Sequence, residues 1–386
     1  MCIVTQMSLI SSRSPTLAPY LGFAVFGAFW GTWGAAIPAV RAQAGVDHGQ
    51  LGAALLFVGV GALPAMLLAG RVVDRFGQRA AADFLAALGV AALVVSVVAR
   101  DQVTLSLALA AVGVTSGAAD VAINAAASSA QANSGRPVVS RSHGLFSVTV
   151  VVFSLGTGGL LALGAPLALP FAIVGAAALL VSLALRSTAE PPRSSPAPPS
   201  PTYGVERGRW GVLGLGSLVI LGALSALAFA TENAHQSWSA IFLDDVLNAS
   251  PALAATGPAL FAAVVATARF TTSALGVAHP ITVVTGGALV AAAGTLVLAG
   301  ADTLTVGLVG LTVAAAGTAV LYPTLVSALS AHLPPASRGS AISIVATIAY
   351  AGFLAGPVYV GGWAAASGLP TAMLGRVPRR SEVDPG

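Results

Sequence analysis

The sequence predicts an all-α membrane protein built from two six-helix bundles, and three observations lead to this fold class. Of its 386 residues, 56% are hydrophobic and 8% are charged, whereas a soluble domain has about a quarter charged residues. Apolar windows of about 20 residues recur along the chain, and their continuous rather than alternating pattern favours spanning helices over a barrel. A polar stretch divides the chain into two halves that contain matching motifs.

Six spans are predicted before this polar stretch, one for each apolar window. Their expected limits are 18–38, 50–70, 80–99, 103–127, 142–163 and 166–186. The segment that follows has no apolar run and contains six prolines between positions 191 and 201, a composition typical of linkers. We therefore expect an N-terminal bundle over 1–186, a cytoplasmic linker over 187–209 and a C-terminal bundle over 210–386.

Five further spans are predicted after the linker. Their expected limits are 210–232, 252–272, 281–300, 304–327 and 341–363. The sequence GLPTAMLGRVPRRSEVDPG that follows begins a twelfth apolar segment and then becomes polar. The twelfth helix is therefore expected to be truncated, with the tail at the membrane surface or the reading frame altered near Gly375.

Arginine supplies all 17 cationic side chains, and its distribution predicts the orientation of the chain. With the amino terminus inside, the outer loops contain only Arg41 and Arg100. The cytoplasmic segments then contain twelve arginines, which are Arg13, Arg71, Arg75, Arg79, Arg136, Arg141, Arg186, Arg193, Arg207, Arg209, Arg269 and Arg338. This excess predicts a cytoplasmic amino terminus in a multi-pass protein of the inner (plasma) membrane, and no removable signal peptide is expected.

Two pairs of motifs indicate an internal duplication. GRVVDRFG at 70–77 matches ARFTTSALG at 268–276, and FSLGTGG at 153–159 matches FLAGPVYVGG at 353–362, in each case about 200 residues later. A duplicated transporter is organised in this way, with six spans, a polar linker and a repeat of the same spans. The two bundles are therefore expected to be related by pseudo-two-fold symmetry.

The segment GRVVDRFGQR, between the second and third spans, resembles the loop motif of the major facilitator superfamily. In that motif a glycine precedes an Asp–Arg pair, a second glycine and a basic residue. These positions are Gly70, Asp74, Arg75, Gly77 and Arg79 here. The resemblance implies the major facilitator fold and a secondary transporter that works by alternating access. It also implies that these five residues form a cytoplasmic gate, called the inner gate below.

The residue types of the inner gate suit that role. Its glycines permit close approach of helices, and Asp74 can lie at the positive N-terminal end of span eleven. A role in fixing the orientation of the chain in the membrane would explain the arginines. It would not explain Asp74 or the glycines. In the second half Thr272 and Ser273 occupy the positions of the Asp–Arg pair, so an asymmetric gate is expected.

A narrower resemblance rests on four segments. WGAAIPAVRA at 33–42, DVAINAAASSAQ at 120–131, SRSHGLFS at 140–147 and SWSAIFLDDVL at 237–247 are similar to the YbjJ-type branch, which is related to fucose-permease-like transporters. This likeness implies sugars or related small polar solutes as substrates. Drug antiporters of the superfamily have an arginine in span four and a Gly-Pro motif in span five. Both are missing here, which argues against proton-driven drug export.

Span four contains Asp120 and Asn124 on one helical face with Gly113 and Gly117, at positions i, i+4, i+7 and i+11. A carboxylate in lipid is costly, so this face is expected to meet protein or water. In one interpretation Asp120 binds solute or exchanges a proton, because burial favours the neutral form of a carboxyl group. In the other interpretation it forms a structural pair with an arginine of the inner gate.

Span seven ends in TENAHQSWSA, and its polar residues are expected near the outer surface. Glu232 and His235 either line the outer mouth, where they bind solute or a proton, or are polar end residues exposed to water. Asp244 and Asp245 follow in the predicted outer loop, where solvation is expected.

Aromatic residues supply the remaining cavity candidates. Trp30 and Trp33 of span one could stack on a sugar ring inside the cavity or anchor the helix at the membrane interface. Tyr322, beside Pro323 in span ten, is a further cavity candidate. The spacing of Gly27 and Gly31 in span one predicts close helix packing.

No enzyme motif is present in the sequence. It contains no phosphate-binding P-loop, no His/Cys cluster with metal-ligand spacing and no Ser/His/Asp set, so neither cofactor nor metal is expected. No loop has the clustered basic face that nucleic-acid binding needs. The expected partners are a small-molecule solute, a proton and the lipid bilayer, and a monomer is expected.

A proton-coupled secondary transporter is the preferred interpretation. The alternatives are an uncoupled facilitator, a drug or metabolite exporter of the same superfamily, and a non-transporting membrane sensor or truncated remnant. A channel is disfavoured because the sequence offers no pore-lining ring or filter.

Overall fold

The computed structural model describes residues 16–188, 214–275, 279–331, 333 and 335–374, and helices joined by short turns make up these ranges. The N-terminal half contains α1 (Leu17–Ala44), α2 (His48–Phe76), α3 (Gln78–Val98), α4 (Gln102–Ser134), α5 (Val138–Ala162) and α6 (Ala168–Thr188). The C-terminal half contains α7 (Leu215–Asp245), α8 (Pro251–Ala254), α9 (Thr256–Leu275), α10 (Pro280–Ala299), α11 (Leu304–Ala319), α12 (Leu321–Ala331), α13 (Pro335–Ser367) and α14 (Leu369–Leu374).

Within the described residues, eleven helical segments are long and apolar enough to cross a membrane. They correspond to the eleven predicted spans, with α8 and α9 forming one span and α11 and α12 another. Of the predicted linker over 187–209, all but the first two residues lie outside the described part of the chain, as does the predicted start of span seven. The six residues of α14 occupy the start of the predicted twelfth segment.

The two halves have the same packing pattern, which supports the predicted duplication. In the N-terminal half α1 packs on α5, α2 on α4, and α3 on α6. The equivalent pairs of the C-terminal half are α7 on α13, α9 on α11, and α10 on α14. The short α14 therefore takes the position of the sixth helix in its bundle.

Glycine permits the close approach of helices inside each bundle. A Cβ atom on Gly113 of α4 would lie 2.0 Å from the carbonyl oxygen of Val58 on α2. A Cβ atom on Gly27 of α1 would lie 2.4 Å from the carbonyl oxygen of Phe146 on α5, and Gly31 approaches α5 in the same way. Backbone contact of this kind replaces the hydrophobic driving force that helices lack in lipid, and it confirms the predicted packing at Gly27 and Gly31.

The halves meet along α1 with α7, α2 with α13, and α5 with α8 and α9. We use the predicted orientation to name the ends of the molecule. The outer end is the one at which α1 ends and α2 begins, and the inner end is the one at which α2 ends and α3 begins. At the outer end a Cβ atom on Gly52 of α2 would lie 3.0 Å from the Cα atom of Gly361 on α13, and the Ser154 hydroxyl of α5 donates to the Ala255 carbonyl oxygen at 3.0 Å.

Candidate functional site

A polar pair lies well inside the N-terminal bundle. Asp120 is eighteen residues beyond the first residue of α4, and the Asn124 amide donates to its Oδ1 at 3.0 Å and to its backbone carbonyl at 2.9 Å. Within the described part of the chain Asp120 has no arginine partner, so the structural pairing with the inner gate is not formed. Gly113 and Gly117 pack directly on α2, whereas Asp120 and Asn124 are only partly buried.

An ion pair lies inside the C-terminal bundle. Arg269 Nη2 of α9 donates to Glu232 Oε1 at 3.0 Å and to Oε2 at 2.8 Å, and Arg269 Nε donates to the carbonyl oxygen of Ala319 at 3.3 Å. The side chains are 39% exposed for Arg269 and 19% for Glu232. The guanidinium also lies within electrostatic range of His143 on α5 of the other half. The pair is therefore accessible from the space between the bundles.

The position of this pair corrects two expectations. Glu232 was expected near the outer surface, but α7 continues to Asp245, which places Glu232 thirteen residues, or about 20 Å, below the outer end of the helix. Arg269 was expected in a cytoplasmic segment, but it lies within the membrane-spanning part of α9. Each charge is tolerated at this depth because the other neutralises it, and the last carbonyl of α11 adds a favourable partner for the arginine.

Aromatic residues of the C-terminal half surround the same space. The ring centroid of Phe229 on α7 lies 4.2 Å from that of Tyr322 on α12 and 6.0 Å from that of Tyr350 on α13. Tyr322 follows the break between α11 and α12, which turns at Val320. Tyr350 of the C-terminal half lies within electrostatic range of Asp120 of the N-terminal half.

His235 neither lines the outer mouth nor is exposed to water, so both interpretations given for it are wrong. Its side chain is buried, its Nδ1 donates to the Thr231 carbonyl oxygen at 2.8 Å, and its Nε2 lies 3.0 Å from the Thr295 hydroxyl of α10. The imidazole also stacks on Phe261 at a centroid distance of 5.8 Å. These contacts join α7, α9 and α10, so the ring contributes to packing of the C-terminal bundle.

The two tryptophans of α1 have different environments. Trp33 is 4% exposed and belongs to the core, which places it away from both an open cavity and the lipid interface. Trp30 is partly buried and packs edge-on against Phe26 and Phe29 of its own helix. Trp30 is therefore the one of the two whose environment allows contact with a solute.

The inner gate lies open to solvent. Asp74, Arg75 and Arg79 are exposed, and none forms an ion pair with another described residue. A Cβ atom on Gly70 or Gly77 would meet no other atom within 4 Å, so these glycines make no close helix contact in this conformation. Gly77 instead has φ +53°, a left-handed conformation that glycine adopts without strain and that ends α2.

A polar cluster at the outer end was missed by the sequence analysis. Asp245, expected to be solvated, accepts hydrogen bonds from Arg41 at the end of α1 and contacts His48 at the start of α2. Asp245 lies 204 positions after Arg41 and 197 positions after His48, in the other half of the chain, and periodicity within one helix gives no indication of such a contact. In the described ranges no three His, Cys, Asp or Glu residues are grouped as metal ligands.

A helical duplication with this interior is the architecture of a membrane transporter, and comparisons with known proteins agree. The sequence model of the Major Facilitator Superfamily matches residues 20–357. An uncharacterised MFS-type transporter of Yersinia pestis is 30% identical over 374 residues, which cover 96% of this chain and 94% of the relative. The chain therefore belongs to the Major Facilitator Superfamily, as its loop motif predicts. It is a multi-pass membrane protein and a secondary transporter, not an enzyme.

Solved structures share the same fold. The structure of the nucleoside transporter NupG is similar with a TM-score of 0.71 and 14% identity, covering 94% of this chain and 95% of that one. A D-xylose-proton symporter is similar with a TM-score of 0.70 and 17% identity, with the same coverage of both chains. At this level of identity the likeness concerns the fold. The narrower resemblance to the YbjJ-type branch stays a prediction.

Proposed function

We propose that this transporter moves a small polar, sugar-like solute together with protons by alternating access. The observation that supports the proposal most directly is the environment of Asp120. Its carboxyl group lies deep in a membrane helix, has an amide rather than an arginine as its described partner, and lies within electrostatic range of Tyr350 of the other half. A carboxyl group without a counter-ion in such surroundings is suited to exchange a proton as the cavity opens to either side.

The surrounding residues suit a hydroxyl-rich solute. Asn124 and the Glu232–Arg269 pair provide hydrogen-bond donors and acceptors, while Tyr322 and Tyr350 combine aromatic faces with hydroxyl groups. Such a combination of convergent polar groups and aromatic walls is typical of small-molecule sites. His235 is not included in this site because its ring nitrogens already have partners between helices.

Flux into proteoliposomes tests this function. Purified protein is reconstituted, and a panel of sugars and small polar solutes is assayed with and without an inwardly directed proton gradient. We expect gradient-driven accumulation of at least one solute. Asp120→Asn should abolish accumulation but retain exchange of labelled for unlabelled solute, because exchange requires no net proton movement.

Asp83→Asn is the matched control. Asp83 is also a carboxylate in a helix of the N-terminal half, but it is paired with Arg186 on α6 and is far more exposed. This variant should accumulate solute as the parent does. Gradient-driven accumulation that persists in Asp120→Asn would show that the proton site lies elsewhere.

A further inference from the structure

A proline inside α13 leaves one backbone carbonyl group without its helical partner. In an α-helix the amide of each residue donates to the carbonyl oxygen four residues earlier, and proline has no amide hydrogen. Pro357 lies inside α13, so the carbonyl oxygen of Phe353 loses the donor that position 357 would otherwise supply. Lipid offers no donor in its place. A donor from another helix would therefore stabilise this carbonyl group.

Asn233 of α7 supplies that donor. Its side-chain amide donates to the Phe353 carbonyl oxygen at 2.6 Å, and its Oδ1 accepts a hydrogen bond from the Ser237 hydroxyl at 3.0 Å. The Asn233 side chain is buried, and Gly352 and Gly356 let α13 approach the backbone of α7 closely on both sides of this contact. Asn233 therefore replaces, across two helices, the hydrogen bond that the proline removes.

A second proline of the C-terminal half follows the same pattern. Pro323 of α12 has no amide hydrogen to donate to the carbonyl oxygen of Ala319, and Arg269 Nε donates to that oxygen at 3.3 Å. At both positions a polar side chain of a neighbouring helix bonds to the carbonyl oxygen that the proline leaves free. Two such contacts in one bundle indicate that the interruptions of α13 and of α11–α12 are held by specific side chains.

The proline of α13 lies between two parts of the helix that have different neighbours. On its inner side the ring centroids of Tyr350 and Phe353 lie 6.0 Å and 6.3 Å from that of Phe229 on α7, and Tyr350 lies within electrostatic range of Asp120. On its outer side Gly361 contacts α2 of the N-terminal half. The interruption thus separates the part of α13 that borders the candidate site from the part that contacts the other half.

We propose that Asn233 is a positioning residue that holds α13 at this interruption and thereby fixes Tyr350 and Phe353 beside the candidate site. A helix that lacks a hydrogen bond bends more readily than an intact one, and the Asn233 amide restricts this freedom by bonding to the free carbonyl oxygen. Because Asn233 is buried, it acts through α13 rather than by contact with solute. The role depends on neither the solute nor the coupling ion, so it goes beyond the proposed function.

Replacement of the proline tests this role, because alanine at position 357 restores the backbone donor. Asn233→Leu keeps a side chain of similar size and branching but removes the bond to Phe353, and it should lower the thermal midpoint by several degrees. In a Pro357→Ala background the same change should cost less than about half as much. Loss of the bond to Ser237 is common to both backgrounds and cancels in the comparison.

Two local measurements distinguish positioning of α13 from a general effect on stability. In Asn233→Leu the amides between residues 350 and 361 should exchange with solvent deuterium at least about threefold faster than in the parent. Nitration of Tyr350 by tetranitromethane, followed by mass spectrometry, should also accelerate, because release of α13 loosens the packing of this ring on Phe229. Both rates should return towards those of the parent when Pro357→Ala is added. Tyr20 of α1, in the other half, is the internal control for nitration.

Pro64→Ala is the matched control variant, since Pro64 lies inside α2 and its replacement supplies no donor to α13. It should restore neither the exchange rate nor the nitration rate of Asn233→Leu. Asn233→Ala, which cannot overpack the site, is measured in parallel in the same backgrounds. Where a single variant yields no folded protein, recovery of folded protein by Pro357→Ala is the same rescue.

The proposal is overturned if Pro357→Ala rescues neither variant of Asn233, or if Pro64→Ala rescues them equally well. Restoration of thermal stability without restoration of the two local rates would show a structural role only and would also overturn it. All measurements use the full chain in detergent without solute. Their failure is therefore distinguishable from a failure to observe proton-driven flux.

Discussion

At the scale of single residues, the charges inside the membrane differ between the two halves. Asp120 has an amide partner, whereas Glu232 and Arg269 neutralise each other. Removing one member of the second pair leaves an uncompensated charge in a region of low dielectric, which costs more than removing both.

The Glu232–Arg269 pair therefore predicts a non-additive double-mutant cycle. Arg269→Gln and Glu232→Gln should each lower thermal stability by several degrees, equivalent to about 1–3 kcal/mol after allowance for partial exposure. The double variant should lose less stability than the two single variants lose in total. Thermal unfolding of detergent-purified protein measures all four species, and additive losses would show that the two side chains do not depend on each other.

The chemistry of several site residues was predictable from sequence, but their partners were not. Asp120 and Asn124 are recognisable because a carboxylate and an amide four positions apart are exceptional in an apolar helix. Arg269 was expected among the cytoplasmic arginines, and its segment matches the inner-gate motif of the first half. Its pairing with Glu232, 37 positions earlier on another helix, depends on tertiary packing that a single sequence does not reveal.

At the scale of helices, backbone contact at glycine is the feature with the clearest consequence. Gly113→Ala should separate α4 from α2, since the new methyl group would lie 2.0 Å from the Val58 carbonyl oxygen. We expect a fall of several degrees in thermal stability and a lower yield of folded protein. Gly286→Ala is the control, because a Cβ atom there meets nothing within 4 Å and alanine favours a helix by about 1 kcal/mol. Equal stability of the two variants would contradict this account of the packing.

The N-terminus of α4 predicts a pH-dependent cap outside the membrane. Asp101 forms a capping box with Thr104, and the backbone amide of Thr104 lowers the pKa of its carboxyl group below the ordinary value of 3.8. Because the pKa is lowered on folding, the cap contributes stability above pH 3.8 and loses it as pH falls through the lowered pKa.

Hydrogen exchange of the first-turn amides of α4 tests this cap. In Asp101→Ala these amides should exchange faster than in the parent near neutral pH. The difference in exchange rate should disappear in acid. The equivalent amides of α2, capped by Asp47 with Gln50, serve as the internal control. A difference that persists in acid would mean that the carboxylate is not the source of protection.

The number and order of helices were predictable because each span is a continuous apolar run. The ends of spans were less predictable where polar residues continue inside the protein. Span seven was expected to end near Glu232, yet α7 continues through Asn233 and His235 to Asp245. Asn233 donates to the Phe353 carbonyl oxygen of α13 at 2.6 Å, so partners on neighbouring helices satisfy the polar groups that suggested a helix end.

At the scale of the whole molecule, the two ends differ in how closely the halves meet. The inner gate is exposed while α2 and α13 are in close contact at Gly52 and Gly361 of the outer end, so interactions of Asp74 are expected to form when the outer end opens. Asp74→Ala should therefore lower solute uptake without loss of membrane insertion.

Parallel assays of solute uptake and membrane insertion at matched expression measure this effect. Thr271→Ala serves as the control, since Thr271 is an exposed residue near the inner end of α9 whose hydroxyl donates to the Thr267 carbonyl oxygen of its own helix. Unchanged uptake by Asp74→Ala would show that Asp74 has no role in the transport cycle.

The neutrality of the Glu232–Arg269 pair also has an electrical consequence. The pair has no net charge, so the membrane potential exerts no net force on it as the bundles rock. In the proposed cycle Asp120 is the charge that changes, being neutral with its proton bound and negative when the empty transporter returns. Transfer of one charge across 100 mV corresponds to about 2.3 kcal/mol. Transport of a neutral solute would therefore generate a current, and the voltage would act on the return of the empty transporter.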